Sequence, residues 1–167
     1  MAKLRDWAEV EVGPDYRTFG IVDEACAQET HTPDAPEGSW LRAARGMVYL
    51  ECPGDVITVR LRLEAWSGPP PAAGQWSGTG EAEVELPSGV LCVDMLTAGW
   101  EEAVFTLPKP GHYRVRMLWA FNPEAGPFHS SLTGATALDT PPGREEQLAG
   151  VDQFCLAQFW RPPSLAG

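Results

Sequence analysis

Along residues 80–86 every second position is a glutamate and the positions between are apolar: Glu81, Glu83 and Glu85 alternate with Ala82, Val84 and Leu86. Successive side chains of an extended chain point to opposite faces, so this spacing predicts a strand with one wet, acidic face and one core face. The same period of two, carried by β-branched and aromatic residues between Gly and Pro, recurs through the chain, while helical periodicity is nearly absent. Strands are predicted at residues 7–12, 16–22, 47–52, 56–66, 80–86, 90–96, 101–107, 112–121 and 151–160. About nine strands with short connections predict an all-β fold, an antiparallel β-sandwich with little helix, formed by residues 1–167 as a single domain. The expected core is Val10, Val12, Ile57, Val59, Leu61, Leu63, Val84, Leu86, Val115, Met117 and Phe154, and the row from Tyr113 to Trp119 should face it.

Turn chemistry punctuates these strands. Cys52-Pro53-Gly54-Asp55 reads as a tight turn with a positive φ at its second central residue, joining two paired strands. Leu86-Pro87-Ser88-Gly89-Val90 and Leu107-Pro108-Lys109-Pro110-Gly111 mark strand ends, because proline lacks the donor a strand interior needs. Residues 23–40 and 122–150 read as long loops, and residues 39–45 as one or two helical turns between a Ser39 cap and Gly46. Residues 67–79 hold three consecutive prolines, which favours extended geometry in either a recognition loop or a stiff connection.

The length suits one domain able to bury a core without cross-links. Met-Ala-Lys-Leu-Arg-Asp is followed by Trp7-Ala8-Glu9-Val10-Glu11, which offers no apolar run for a signal peptide. No stretch approaches the roughly 20 apolar residues that span a bilayer. A cytoplasmic location and no membrane partner are expected. Cys26, Cys52, Cys92 and Cys155 are widely spaced, three of them among apolar neighbours, and read as buried free thiols rather than a zinc site or a disulfide framework.

The 12 basic and 23 acidic residues leave a net charge of −11. Such a chain repels a phosphate backbone, so direct nucleic-acid binding is not expected, whereas a basic protein partner would be attracted and steered. Taken by itself, the charge is explained more simply by solubility alone. The row Glu81, Glu83, Glu85 has two readings: a cross-strand ladder matched by Arg60 and Arg62 of residues 56–66, or an acidic contact surface that Glu101 and Glu102 would extend. Of the seven tryptophans, Trp40, Trp76 and Trp100 stand in turn-like contexts as candidates for exposure, either anchoring a protein interface or stacking on a sugar. The candidate partner-binding set is therefore Glu81, Glu83, Glu85, Trp76, Trp100, Glu101 and Glu102. No motif for a cofactor, metal or nucleophile occurs, and His31, His112 and His129 are scattered; a hydrolase would have to gather His112 or His129 with a distant carboxylate.

The run Phe105-Thr106-Leu107-Pro108-Lys109-Pro110-Gly111-His112-Tyr113-Arg114-Val115, leading to Trp119, resembles a hairpin of the competence protein J family. Tyr16-Arg17-Thr18-Phe19, the strand after Gly46 and the long strand to Trp66 follow in an order similar to that family, so the likeness extends over residues 7–120 in outline. The resemblance implies a small acidic β protein that inhibits a bacterial competence nuclease by binding it. It carries no particular contact residue across, but it favours a protein partner, a nuclease or other basic toxin, for the acidic surface.

Overall fold

The structure is a computed structural model and describes residues 1–29, 32–34, 39–71, 74–122 and 142–163. Among these described residues ten strands form two five-stranded sheets: β1 (Leu4–Val12), β2 (Thr18–Asp23), β3 (Leu41–Ala44), β4 (Met47–Glu51), β5 (Val59–Trp66), β6 (Gly78–Leu86), β7 (Val90–Asp94), β8 (Trp100–Thr106), β9 (Gly111–Phe121) and β10 (Gln153–Trp160). One sheet runs β1-β5-β10-β9-β6 and the other β3-β4-β2-β7-β8. The all-β sandwich expected from alternation is thus present, antiparallel throughout except for β5 and β10, which are parallel neighbours. Two turns of 3-10 helix occupy Glu24–Glu29, within the expected loop 23–40, and a single turn occupies Leu96–Ala98.

The core lies between the two sheets and is built from alternate residues of each strand. Val59, Leu61 and Leu63 of β5, Val84 and Leu86 of β6, and Tyr113, Val115, Met117 and Trp119 of β9 meet Phe19, Ile21, Val48, Leu50, Leu91 and Val93 of the other sheet. Val10 packs half-buried against this core, and Phe154 lies on the opposite face of its sheet. There it joins Leu118, Ala120, Leu148 and Leu156 in a second apolar cluster. Residues 142–150 cover that cluster, held by Arg60, whose guanidinium donates to the carbonyls of Gln147 (2.9 Å) and Ala149 (3.1 Å).

Four local expectations are corrected. Residues 39–45 are not helical: Leu41 and Ala43 point to the core from β3, so burial and pairing with β4 outweigh the capping signal of Ser39. Cys52-Pro53-Gly54-Asp55 does not join paired strands but crosses from one sheet to the other. Its left-handed residue is Val56 (φ 52°), which is 93% exposed, so β5 begins only at Val59. The link 107–111 is likewise an arch between β8 and β9 of different sheets, not a hairpin; Tyr113 closes it by donating to the carbonyl of Lys109 at 2.5 Å. Finally, the strand beside the glutamate row is β9, not β5.

A buried carboxylate ties the sheets together at one end. Asp23, at the end of β2, accepts from the Ser88 hydroxyl (2.7 Å) and from the backbone N–H groups of Gly89 (2.9 Å) and Ala25 (2.9 Å). It thereby pins the arch between β6 and β7, in which Gly89 supplies a φ of 74°.

Candidate protein-interaction surface

β6 is the edge of its sheet, and its outward row Glu81, Glu83 and Glu85 is exposed, as the alternation requires. Across the ladder these residues face Arg116, Arg114 and His112 of β9. Arg114 reaches both neighbouring carboxylates, Glu81 at 3.3 Å and Glu83 at 3.7 Å, and His112 Nε2 lies 3.6 Å from Glu83. Arg116 is directed elsewhere: its Nε donates to Gln158 (2.9 Å) and its Nη2 to the carbonyls of Pro70 and Pro71 (3.1 and 2.9 Å). This contact pins the start of the proline-rich connection to the sheet. The row therefore sets three carboxylates against one engaged guanidinium, and Glu85 forms no ion pair among the described residues. The face remains negative when His112 is neutral.

Arg60 and Arg62, expected opposite this row, lie at the other side of the sheet. Arg62 pairs with Glu64 at 2.8 Å and Glu9 at 3.5 Å, and Arg60 holds the 142–150 segment. The reason is pairing: β5 lies between β1 and β10, and β10 and β9 separate it from β6.

Glu101 and Glu102 do not extend the β6 row. They lie on β8, the edge of the second sheet that adjoins β1, whereas β6 adjoins β3, so the two acidic groups occupy opposite edges of the sandwich. The β7–β8 register shifts between Leu91 and Val93, and Ala103 takes a φ of 48°, which leaves Glu101, Glu102 and Ala103 exposed in succession. β1 adds Glu9 and Glu11 to that edge.

The three tryptophans singled out from their contexts are partly buried. Trp40 packs edge-on against Trp119 with ring centres 6.2 Å apart; Trp76 stacks on Phe154 at 6.1 Å under the Arg144 guanidinium, 3.7 Å from its ring. Trp100 packs against Val22, Met47 and Tyr49 on the outer face of its sheet. The aromatics that do stand out are Trp7, 51% exposed on β1 with Arg62 lying 4.1 Å above its ring, and Tyr16, 73% exposed before β2. The signal for Trp7 was present in the sequence, because it shares an outward row with Glu9 and Glu11.

All four cysteines are buried free thiols. Burial pushes Cys52 and Cys155 well above the ordinary thiol range, which keeps them protonated and unreactive. His112 stands in the exposed ladder; His31 and His129 lie outside the described residues. Among the described residues no helix is long and apolar enough to cross a membrane.

No family model matches the chain, and no curated protein matches it in sequence. Among solved structures, the crystal structure of ComJ, inhibitor of the DNA degrading activity of NucA, from Bacillus subtilis is similar with a TM-score of 0.56. The likeness covers 96% of this chain and 98% of ComJ at 11% identity. Crocagin biosynthetic gene J is similar with a TM-score of 0.54 and 20% identity over 95% of this chain and 97% of its own. The resemblance read from residues 105–115 and the strand order thus holds as a likeness of fold, although that run is an arch between the sheets and not the hairpin expected.

Proposed function

We propose that this protein is a stoichiometric inhibitor that binds and occludes a basic partner, a nuclease or another toxin, rather than an enzyme. The observation that carries the reading is the fold, shared over nearly the whole of both chains with an inhibitor of a DNA-degrading activity. The net charge of −11 agrees with it, because carboxylates can replace substrate phosphates over a cationic groove and speed encounter. In this reading the chain works as one domain in the cytoplasm, where its thiols stay reduced. The contact surface is the β6 face with Glu81, Glu83 and Glu85. The opposite edge with Glu101, Glu102 and the neighbouring Trp100 forms a second, separate acidic patch, and Trp76 serves to hold the 142–150 segment. A sugar-binding role for Trp40, Trp76 and Trp100 is disfavoured because all three are packed against other rings or apolar side chains.

The test is DNA degradation by a nuclease encoded beside this gene, titrated with the purified domain. Loss of activity along a straight line to a fixed molar ratio, with a complex on gel filtration, is the expected result. Undiminished degradation and no complex would overturn the proposal, as would a neighbourhood of polysaccharide-degrading genes joined to stabilisation of the domain by glycans.

A further inference from the structure

The end of the first sheet where β5 and β10 finish differs from the rest of the surface. These strands are parallel neighbours with Trp66 opposite Trp160, so their carboxyl ends emerge side by side and bring Ser67 and Arg161 to one place. β1 runs past in the other direction, and its register slips between Leu4 and Asp6, which makes Arg5 the extra residue of a bulge. Bulges re-aim the side chains they carry. The arch between β8 and β9 contributes Pro108 and Lys109. With Ala65, Trp66 and Tyr113 these residues line a pocket of about 330 Å³ that is open to solvent on one side.

Its charge is opposite to that of the molecule. Three of the 12 basic residues line it and no acidic residue does, although acidic residues outnumber basic ones nearly two to one. Arg5, Lys109 and Arg161 form no ion pair among the described residues. The walls are held in place. The Trp66 indole donates to Glu64 at 2.7 Å, the Tyr113 hydroxyl to the Lys109 carbonyl, and the Ser67 hydroxyl accepts from the Lys3 N–H at 2.8 Å. The Arg161 guanidinium lies over Gly111, whose φ of 133° suits glycine alone.

We infer that this cavity binds small phosphate monoesters that carry a flat apolar group. A phosphate monoester brings nearly two negative charges and three acceptor oxygens, which match two guanidinium forks and an ammonium better than a single carboxylate does. Pro108 and Trp66, with the buried Tyr113 and Ala65 behind them, give the lining an apolar side that inorganic phosphate would leave wet. The volume is near the lower end of the roughly 300–1,000 Å³ range of small-ligand sites, which limits the occupant to a single compact ligand. None of the residues of the acidic row lines this pocket, and its occupancy does not depend on the inhibitor reading.

Calorimetric titration of the full chain with phenyl phosphate, inorganic phosphate and benzoate tests the assignment. Phenyl phosphate is expected to bind saturably at one site, with each of the other two weaker by about tenfold or more, the equivalent of losing one good charge-assisted contact. Arg5→Ala and Arg161→Ala should each weaken phenyl phosphate by about tenfold, while Arg42→Ala, in a separate pair with Glu51 on β3 and β4, should leave it unchanged. Circular dichroism and thermal melting establish that each variant is folded. No saturable binding of phenyl phosphate, equal binding of benzoate, or undiminished binding by the folded Arg5→Ala and Arg161→Ala variants would overturn the assignment.

Discussion

The hydroxyl of Tyr49 on β4 reaches across β2 to Asp94 on β7 and donates to its carboxylate at 2.5 Å. The strand between them offers Gly20 at that position, opposite both residues in the ladder, and the phenol ring lies directly over its backbone. A Cβ on Gly20 would stand 2.5 Å from the Tyr49 ring. This three-residue arrangement buries a tyrosine and a carboxylate on the outer face of the sheet, away from the main core.

Gly20→Ala should therefore destabilise the fold by about 2–3 kcal/mol, the upper part of the range for overpacking, because both ring and backbone must move. Tyr49→Phe should cost about 1–3 kcal/mol by leaving the buried Asp94 carboxylate without one of its donors, the other being the Leu96 N–H. Urea denaturation of both variants measures the two losses. An unchanged midpoint for Gly20→Ala would contradict the packing described.

Alkaline pH should weaken the fold. Tyr49 is raised above its ordinary value, first by burial and then by Asp94, and burial raises Cys52 and Cys155. The native state thus keeps protons that the unfolded chain releases, so stability is complete below the unfolded values, about 8.5 for thiols and 10 for tyrosine, and falls above them. Each group adds a slope of about 1.4 kcal/mol per pH unit until its folded value is reached. Urea midpoints should be level to about pH 8 and decline steeply above it; Tyr49→Phe should make the decline shallower above about pH 10. A level profile throughout would exclude these groups as buried in the folded state.

Removing the Asp23 carboxylate should be among the most damaging single changes. Asp23→Ala leaves the Ser88, Gly89 and Ala25 donors without their buried acceptor and frees the arch between the sheets, a loss of about 3 kcal/mol or more. Thermal melting checks it, and a shift no larger than that of a surface variant would show that water replaces the carboxylate at no cost.

The β6 row should matter to binding far more than to folding. Its ion pairs are exposed, so changing Glu81, Glu83 and Glu85 together to Gln should alter stability by no more than about 1 kcal/mol. Association with a cognate nuclease should slow by about tenfold and lose much of its salt dependence. Stopped-flow association at several ionic strengths, beside the Glu101→Gln, Glu102→Gln double variant, separates the two acidic patches. If only the double variant slows binding, the β8 edge is the contact surface.

Trp76 and Arg144 should act together in holding residues 142–150. Trp76→Ala removes the ring between Arg144 and Phe154 and should accelerate proteolysis within 142–150 while leaving the sandwich folded. Arg144→Ala should do so more mildly, by about 1 kcal/mol of local stability, the scale of one cation–π contact. Limited proteolysis followed by mass spectrometry reads both, and equal cleavage of the variants and the wild-type chain would argue against this anchoring.

Alternation along β5, β6 and β9 determined the fold class, the face each residue presents and most of the core, because which side of a strand is buried is a local property with a period of two residues. Leu61, Val84 and Met117 are core residues for that reason, and Glu81, Glu83 and Glu85 are outward for the same one. Which strands become neighbours was decided only by the tertiary structure. Arg60 and Arg62 have the right spacing to face the β6 glutamates, yet Arg114 of β9 holds two of them, because strand order depends on contacts between residues far apart in sequence. The same holds for Glu101 and Glu102, adjacent to β6 in a plausible reading but carried to the opposite edge by the second sheet, and for Trp40 and Trp76, whose covering partners Trp119 and Phe154 come from distant strands. The cavity at the ends of β5 and β10 had no local signature: Arg5, Ser67, Lys109 and Arg161 meet only because two parallel strands finish side by side.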